Sequence, residues 1–189
     1  MLKELFVLLF RLITEPRKTW ERLAQKEEKR NEDFYKNYLY PVFGIVALLS
    51  FVGILFSVGK FDIQQALKTV IKQIAVYFGG FYLASFILSE WVILRFKQRK
   101  DLLLAERFVG YSSALVYVVA MIKSLFPSFF FLLLILLFSS YIIWQGAIRY
   151  LEIQEESLVK FTITASMVIL LSPVAIEYAI FLLLPGMKI

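Results

Sequence analysis

The sequence predicts an all-α polytopic membrane protein, with five transmembrane helices behind a short N-terminal interfacial or cytoplasmic segment. Three observations carry that prediction. Hydrophobic residues make up 60% of the 189 and the mean hydropathy is +0.73, more apolar surface than a soluble core of this size can hide. Charged residues are only 19% of the chain and are clustered, leaving long stretches with none. Those stretches are long enough, at about 1.5 Å per helical residue, to cross a hydrocarbon layer roughly 30 Å thick.

Residues 1–38 form the N-terminal segment. Leu2, Leu5, Phe6, Leu9, Phe10 and Ile13 recur at helical spacing with Lys3 and Arg11 elsewhere, the pattern of a helix lying in the membrane interface. No small-residue cleavage site follows, so the segment reads as retained and not as a signal peptide. Glu15-Pro16 interrupts it, and a mixed-charge run extends from Arg17 to Lys36.

Residues 39–189 form the membrane domain. The first span is 41–58, with Pro41 in its first helical turn, where the missing N–H costs nothing. After Asp62, an amphipathic lead-in carrying Ile63, Leu67, Val70 and Ile74 on one face leads to span two, 74–94. A basic run of Arg95, Lys97, Arg99, Lys100 and Arg107 precedes span three, 108–126. Pro127-Ser128 turns the chain tightly into span four, 129–148, and a loop with Glu152, Glu155 and Glu156 leads to span five, 161–184.

Lys and Arg divide 16 to 5 between the two sides of this layout. The richer side is expected to be the cytoplasm, placing the N-terminus inside and the C-terminus outside. Trp91, Tyr111, Trp144 and Tyr150 then fall at the cytoplasmic ends, where amphipathic rings anchor helices. The net charge of +6 therefore reads as membrane orientation and not as nucleic-acid binding.

The chain contains no cysteine and no histidine. Their absence removes thiolate chemistry, the commonest general base and the commonest transition-metal ligand. No nucleotide-binding fingerprint appears, and Asp33, Asp62 and Asp101 all lie outside the spans. The reading is of a protein that is not an enzyme and carries no cofactor or metal. Its expected partners are membrane lipids, other membrane proteins or a second copy of itself.

Glu177 stands inside span five, four residues after Pro173, and a carboxylate there should face protein or water. At similar depth, Lys123 could pair with it across spans three and five; an ion-linked role is the alternative. Pro173 leaves the Ile169 carbonyl without its donor and is expected to kink the span. Glu90, near the cytoplasmic end of span two, lies close in depth to Arg149 and Arg107, which suggests an interfacial salt bridge. The pairs Ala75 and Gly79, Gly80 and Ala84, and Gly110 and Ala114 have the four-residue spacing that lets helix backbones approach, within one chain or between two.

Several short motifs complete the pattern: Pro16 with Trp20 in ITEPRKTWERL, Tyr40-Pro41, Gly110-Tyr111-Ser112, and YIIWQGAIRYL around Gly146. On these the chain resembles the Yip family of five-helix membrane proteins over nearly its whole length. The resemblance implies a non-enzymatic scaffold or membrane-organising component, since eukaryotic members interact with Rab-type GTPases in vesicle traffic. KNYLYPVFG stands here in place of the eukaryotic Asp-Leu-Tyr-Gly-Pro stretch. The short N-terminal region is similar to that of prokaryotic members, which implies a prokaryotic inner membrane. The competing reading from the residues is a small transporter or channel for an ion, small solute or lipid, with Glu177 and Pro173 lining the path.

Overall fold

The computed structural model describes residues 2–25, 34–57, 62–92, 101–129 and 131–183, and all elements among them are helical. Helices α1 (Leu2–Thr14) and α2 (Pro16–Gln25) form an N-terminal pair joined at Glu15. A π-helical turn, Tyr35–Leu39, opens α3 (Tyr40–Ser57), and α4 (Ile63–Ile87) closes with a second one, Leu88–Val92. Next come α5 (Leu102–Ser112) and α6 (Ala114–Leu125). A single turn, α7 (Leu132–Ile135), and a 3-10 turn, Leu136–Phe138, lead into α8 (Ser139–Arg149); α9 (Glu155–Leu183) follows.

Four stretches are long and apolar enough to cross a membrane unaided, and α5 with α6, bent by 47°, makes a fifth. The chain is an all-α integral membrane protein.

Three local features set how the helices that carry the spans begin and run. Span two starts at Ile63, because the Asp62 carboxylate accepts from the N–H groups of Gln64 (2.8 Å) and Gln65 (3.1 Å) and caps a helix that never breaks before Ile87. Lead-in and span are one helix, and Lys68 and Lys72 ride on it. Span one begins ahead of Pro41: the Tyr40 N–H reaches back to the Tyr35 carbonyl, so the proline follows a wide turn and does not open the helix. A π turn there accommodates a residue with no N–H for the carbonyl four positions back. Third, α9 continues as helix through Pro173. The basic run Arg95 to Lys100, the last residues of spans one, two and five, and the Trp91 side chain lie outside the described residues.

Helix α4 is the hub, packing on α9, α3 and α5. Its contact with α9 is antiparallel and close because two adjacent glycines face it. A Cβ on Gly80 would fall 2.8 Å from the Pro173 Cα, and one on Gly79 would fall 3.2 Å from the Ile176 side chain. Ala84, one turn on, is buried, whereas Ala75 is half-buried. These small residues serve packing inside the chain. On the other flank α3 and α6 run parallel and meet where Gly53 touches the Ser124 backbone, beside a 3.0 Å hydrogen bond between the Ser50 and Ser124 hydroxyls.

Helix α1 lies along α6 and α3. Leu5, Leu9 and Leu12 are buried against the bundle, while Leu2, Phe6, Val7 and Phe10 remain exposed. The single apolar stripe of the sequence is thus divided between a face on protein and a face turned away from it. Between α1, α3 and α6 runs an apolar groove of ≈ 560 Å³, walled by Phe6, Phe10, Ile45, Leu49, Ile122 and Leu125 among others.

Candidate functional site

The family motifs, scattered through the sequence, converge where α2 lies on α8. Pro16 opens α2 just after Glu15, the one non-helical residue between the two N-terminal helices. The Thr19 hydroxyl donates to the carbonyls of Glu15 (2.9 Å) and Arg11 (3.1 Å), which stiffens the corner. One residue on, Trp20 is 0% exposed.

What admits so large a ring is Gly146. A Cβ there would sit 2.7 Å from two carbons of the indole and 2.9 Å from the Phe108 ring, so only glycine leaves the space. Ile142, Gly146 and Tyr150 are spaced four apart and share the face of α8 that receives α2. The indole Nε1 donates to the Ile142 carbonyl at 3.0 Å. Ring neighbours complete the enclosure: Tyr150 at 5.2 Å, Phe108 at 5.7 Å and Tyr111 edge-on at 6.0 Å. A buried indole with its N–H satisfied contributes both area and direction.

A second aromatic layer continues from Tyr111, whose ring lies 4.8 Å from Tyr38 and 5.2 Å from Phe34. Gly110 performs here the service of Gly146: a Cβ would strike Phe34 at 2.5 Å, and the Tyr38 hydroxyl donates to the Gly110 carbonyl at 3.1 Å. Ser112 and Ala114 are buried just beyond. Tyr40 is exposed, its ring 5.8 Å from Tyr35, and the Tyr35 hydroxyl donates to the buried Glu106 carboxylate.

A charged latch closes the α2 contact. Arg149, only 17% exposed, donates from Nε to the Glu21 carboxylate at 2.9 Å and from Nη1 to the Gln145 side-chain oxygen at 2.5 Å. The Arg149 hydrogen bond holds the Glu21 carboxyl below its ordinary value of 4.5, against an opposing contribution from burial. A depressed carboxyl stabilises the docked state at pH above its undocked value, and that contribution disappears as pH falls through the docked one. Thermal stability in detergent should therefore be higher for the natural protein than for Glu21→Gln near pH 6, with the difference fading only as the pH falls below 4.5 and through the lowered docked value. A difference that persists in acid would show that the latch is not ionic. Glu90 sits half-buried on the π turn after α4, and the Arg149 guanidinium is directed to Glu21 and Gln145.

At the opposite end, Glu177 pairs with Lys72 of α4 at 2.8 Å, the side chains 52% and 24% exposed. Lys123 is half-buried near the end of α6 and is not its partner. The continuous helix from Ile63 explains the exchange, since it carries Lys72 along the wall that α9 covers. Replacing Lys72 by Met or Glu177 by Gln should each lower thermal stability, and the double variant should recover part of the loss, a coupling of roughly 1 kcal/mol. The same cycle run between Lys123 and Glu177 should be additive. Additivity in the Lys72 cycle would mean that the contact contributes nothing.

The model of the Yip1 domain family matches residues 10–184, from within α1 to the end of α9. The chain belongs to the Yip1 domain family. No curated protein and no solved structure matches it. In this Yip1-domain chain the aromatic node therefore lies inside the matched region, and so do Glu21, Gln145 and Arg149 of the latch. Several contributors escape a reading of the sequence, among them Gly53, Lys72, Gln145 and Glu21. Gly53 had a signal, since it stands three residues after Ser50 on one span; Lys72, Gln145 and Glu21 had none short of knowing which helices touch.

Proposed function

We propose that this Yip-family protein is a non-enzymatic scaffold or membrane-organising component of a prokaryotic inner membrane, with its N-terminus in the cytoplasm. The observation that supports the reading is the seating of Trp20 over Gly146, which holds a short N-terminal helix pair against the membrane bundle in one fixed pose. That pose leaves Arg17, Lys18 and Arg22 exposed on α2, a basic face suited to an acidic protein segment or to anionic lipid headgroups. The apolar groove beside α1 is of a size that ligand sites commonly have, and an acyl chain suits its lining.

Affinity capture from native membranes, with protein and lipid analysis of what co-purifies, tests this. Partners recovered with the natural protein should be lost when Arg17, Lys18 and Arg22 are replaced together by Gln, with thermal stability unchanged. A second reading, a small transporter, draws support from the Lys72–Glu177 pair and from the bend between α5 and α6. Flux into liposomes that Glu177→Gln abolishes, with capture indifferent to the α2 variant, would select it.

Orientation has its own test, and the absence of cysteine gives a clean background. Gln64 and Gln154 are both exposed at opposite ends of the bundle. A cysteine at Gln154 should be shielded from an impermeant thiol reagent in intact cells, while one at Gln64 should react; the reverse pattern would invert the topology.

A further inference from the structure

Three departures from regular helix packing meet at one depth. On α9, Pro173 has no N–H to give the Ile169 carbonyl. Across from it, α5 and α6 bend by 47° at Ser113, whose φ of −81° and ψ of 4° leave the helical region. From the third side, Gly80 of α4 brings its backbone against Pro173. Between them lies a cavity of ≈ 10 Å³, lined by Gly80, Ser113, Tyr117, Ile169 and Pro173 together with apolar neighbours. That volume is the least that holds the centre of one water molecule.

The lining is not wholly apolar. Tyr117 is 2% exposed, and its buried hydroxyl makes no hydrogen bond of ordinary geometry within the protein, with the Ser113 side chain beside it. A phenol hydroxyl stranded in a low-dielectric core is destabilising, and native structures rarely leave one so. The same cavity is lined by Ile169, whose carbonyl Pro173 cannot serve, and by Ser113 at the bend. Buried waters typically make about three hydrogen bonds, and Tyr117, Ser113 and Ile169 all line this space.

We propose that a single water molecule is built into the crossing of α4, α6 and α9, bound by the Tyr117 hydroxyl, the Ile169 carbonyl and the Ser113 hydroxyl. The Tyr117 O–H donates to the water, which donates in turn to the Ile169 carbonyl and to Ser113 Oγ. No carboxylate lines the cavity, so a neutral ligand fits it and a metal cation does not. The water substitutes for the N–H that Pro173 lacks and thereby joins a proline-bearing helix to a bent one.

The test is X-ray radiolytic labelling of the intact protein in nanodiscs, read by mass spectrometry after brief mixing with oxygen-18 water. A bound water beside a buried ring generates hydroxyl radical in place, so Tyr117 should be oxidised despite its burial, and should take up oxygen-18 more slowly than the exposed Tyr178. Tyr117→Phe supplies the second measurement, since it deletes only the hydroxyl. With the water present, this variant should melt several degrees lower, and the loss should shrink in a Pro173→Ala background, where the Ile169 carbonyl regains an N–H. An empty cavity predicts the opposite sign, because removing an unpaired buried hydroxyl leaves melting unchanged or raises it. Either that sign or an unlabelled Tyr117 beside a labelled Tyr178 overturns the proposal.

Discussion

Replacing Trp20 by Ala should release the N-terminal helix pair from the bundle at a cost of about 3–5 kcal/mol, the range for emptying a fully buried aromatic site. The ring is enclosed by Phe108, Tyr111 and Tyr150 and has no exposed surface, so nothing nearby can collapse into the space without moving a helix. The measurement is limited proteolysis together with thermal unfolding in detergent. Cleavage between α2 and α3 should accelerate while the helical signal of the spans persists. Trp20→Phe, which keeps a ring but loses the hydrogen bond to the Ile142 carbonyl, should fall between the two. Gly146→Val should reproduce the Ala phenotype from the other side of the contact by occupying the space of the indole. Unchanged proteolysis in all three variants would mean that α1 alone, through Leu5, Leu9 and Leu12, retains the helix pair.

Gly53→Ala should be the most damaging methyl group that can be added to the membrane domain. The new carbon would be placed on the Ser124 carbonyl, which is backbone and cannot swing aside as a side-chain tip does. Helices α3 and α6 must then separate, breaking the Ser50–Ser124 hydrogen bond in the process. Overpacking of this kind costs typically 1–3 kcal/mol and sometimes more. Gly44→Ala is the matched control on the same helix, because a Cβ there meets nothing within 4 Å. It should be neutral or stabilising by up to about 1 kcal/mol through reduced backbone freedom. Equal melting temperatures for the two variants would remove the close crossing from the account.

Hydropathy made the fold class and the number of spans readable, because a bilayer imposes the same requirement on every spanning segment. Boundaries were less readable, since hydropathy marks where lipid begins and not where a helix does. Lys68 and Lys72 lower the apolarity of the first turns of α4, yet Asp62 caps a helix that contains both. The bend at Ser113 carries no proline, and the proline that α9 does carry leaves that helix continuous. Trp20 and Gly146 stood out as motif residues on resemblance alone, and Gly110 and Tyr111 also by helix-contact spacing and by position at a span end. Their common purpose appears only in three dimensions, where Gly146 and Gly110 each make room for one aromatic ring. Arg149 and Glu21 are 128 positions apart, and no local pattern pairs them.

The hydrogen bond from Trp20 to Ile142 also bears on the order of events during biosynthesis, for its partners are separated by 122 positions. At the usual ribosomal pace of about 5–20 residues per second, roughly 6–24 seconds pass between the emergence of the indole and that of its acceptor. For that interval the first two helices are made but have no berth. Phe6 and Phe10, exposed on α1, offer an apolar face to a bilayer surface meanwhile. Docking therefore waits on the fourth span, so a chain in which that span fails to insert would keep its first two helices undocked.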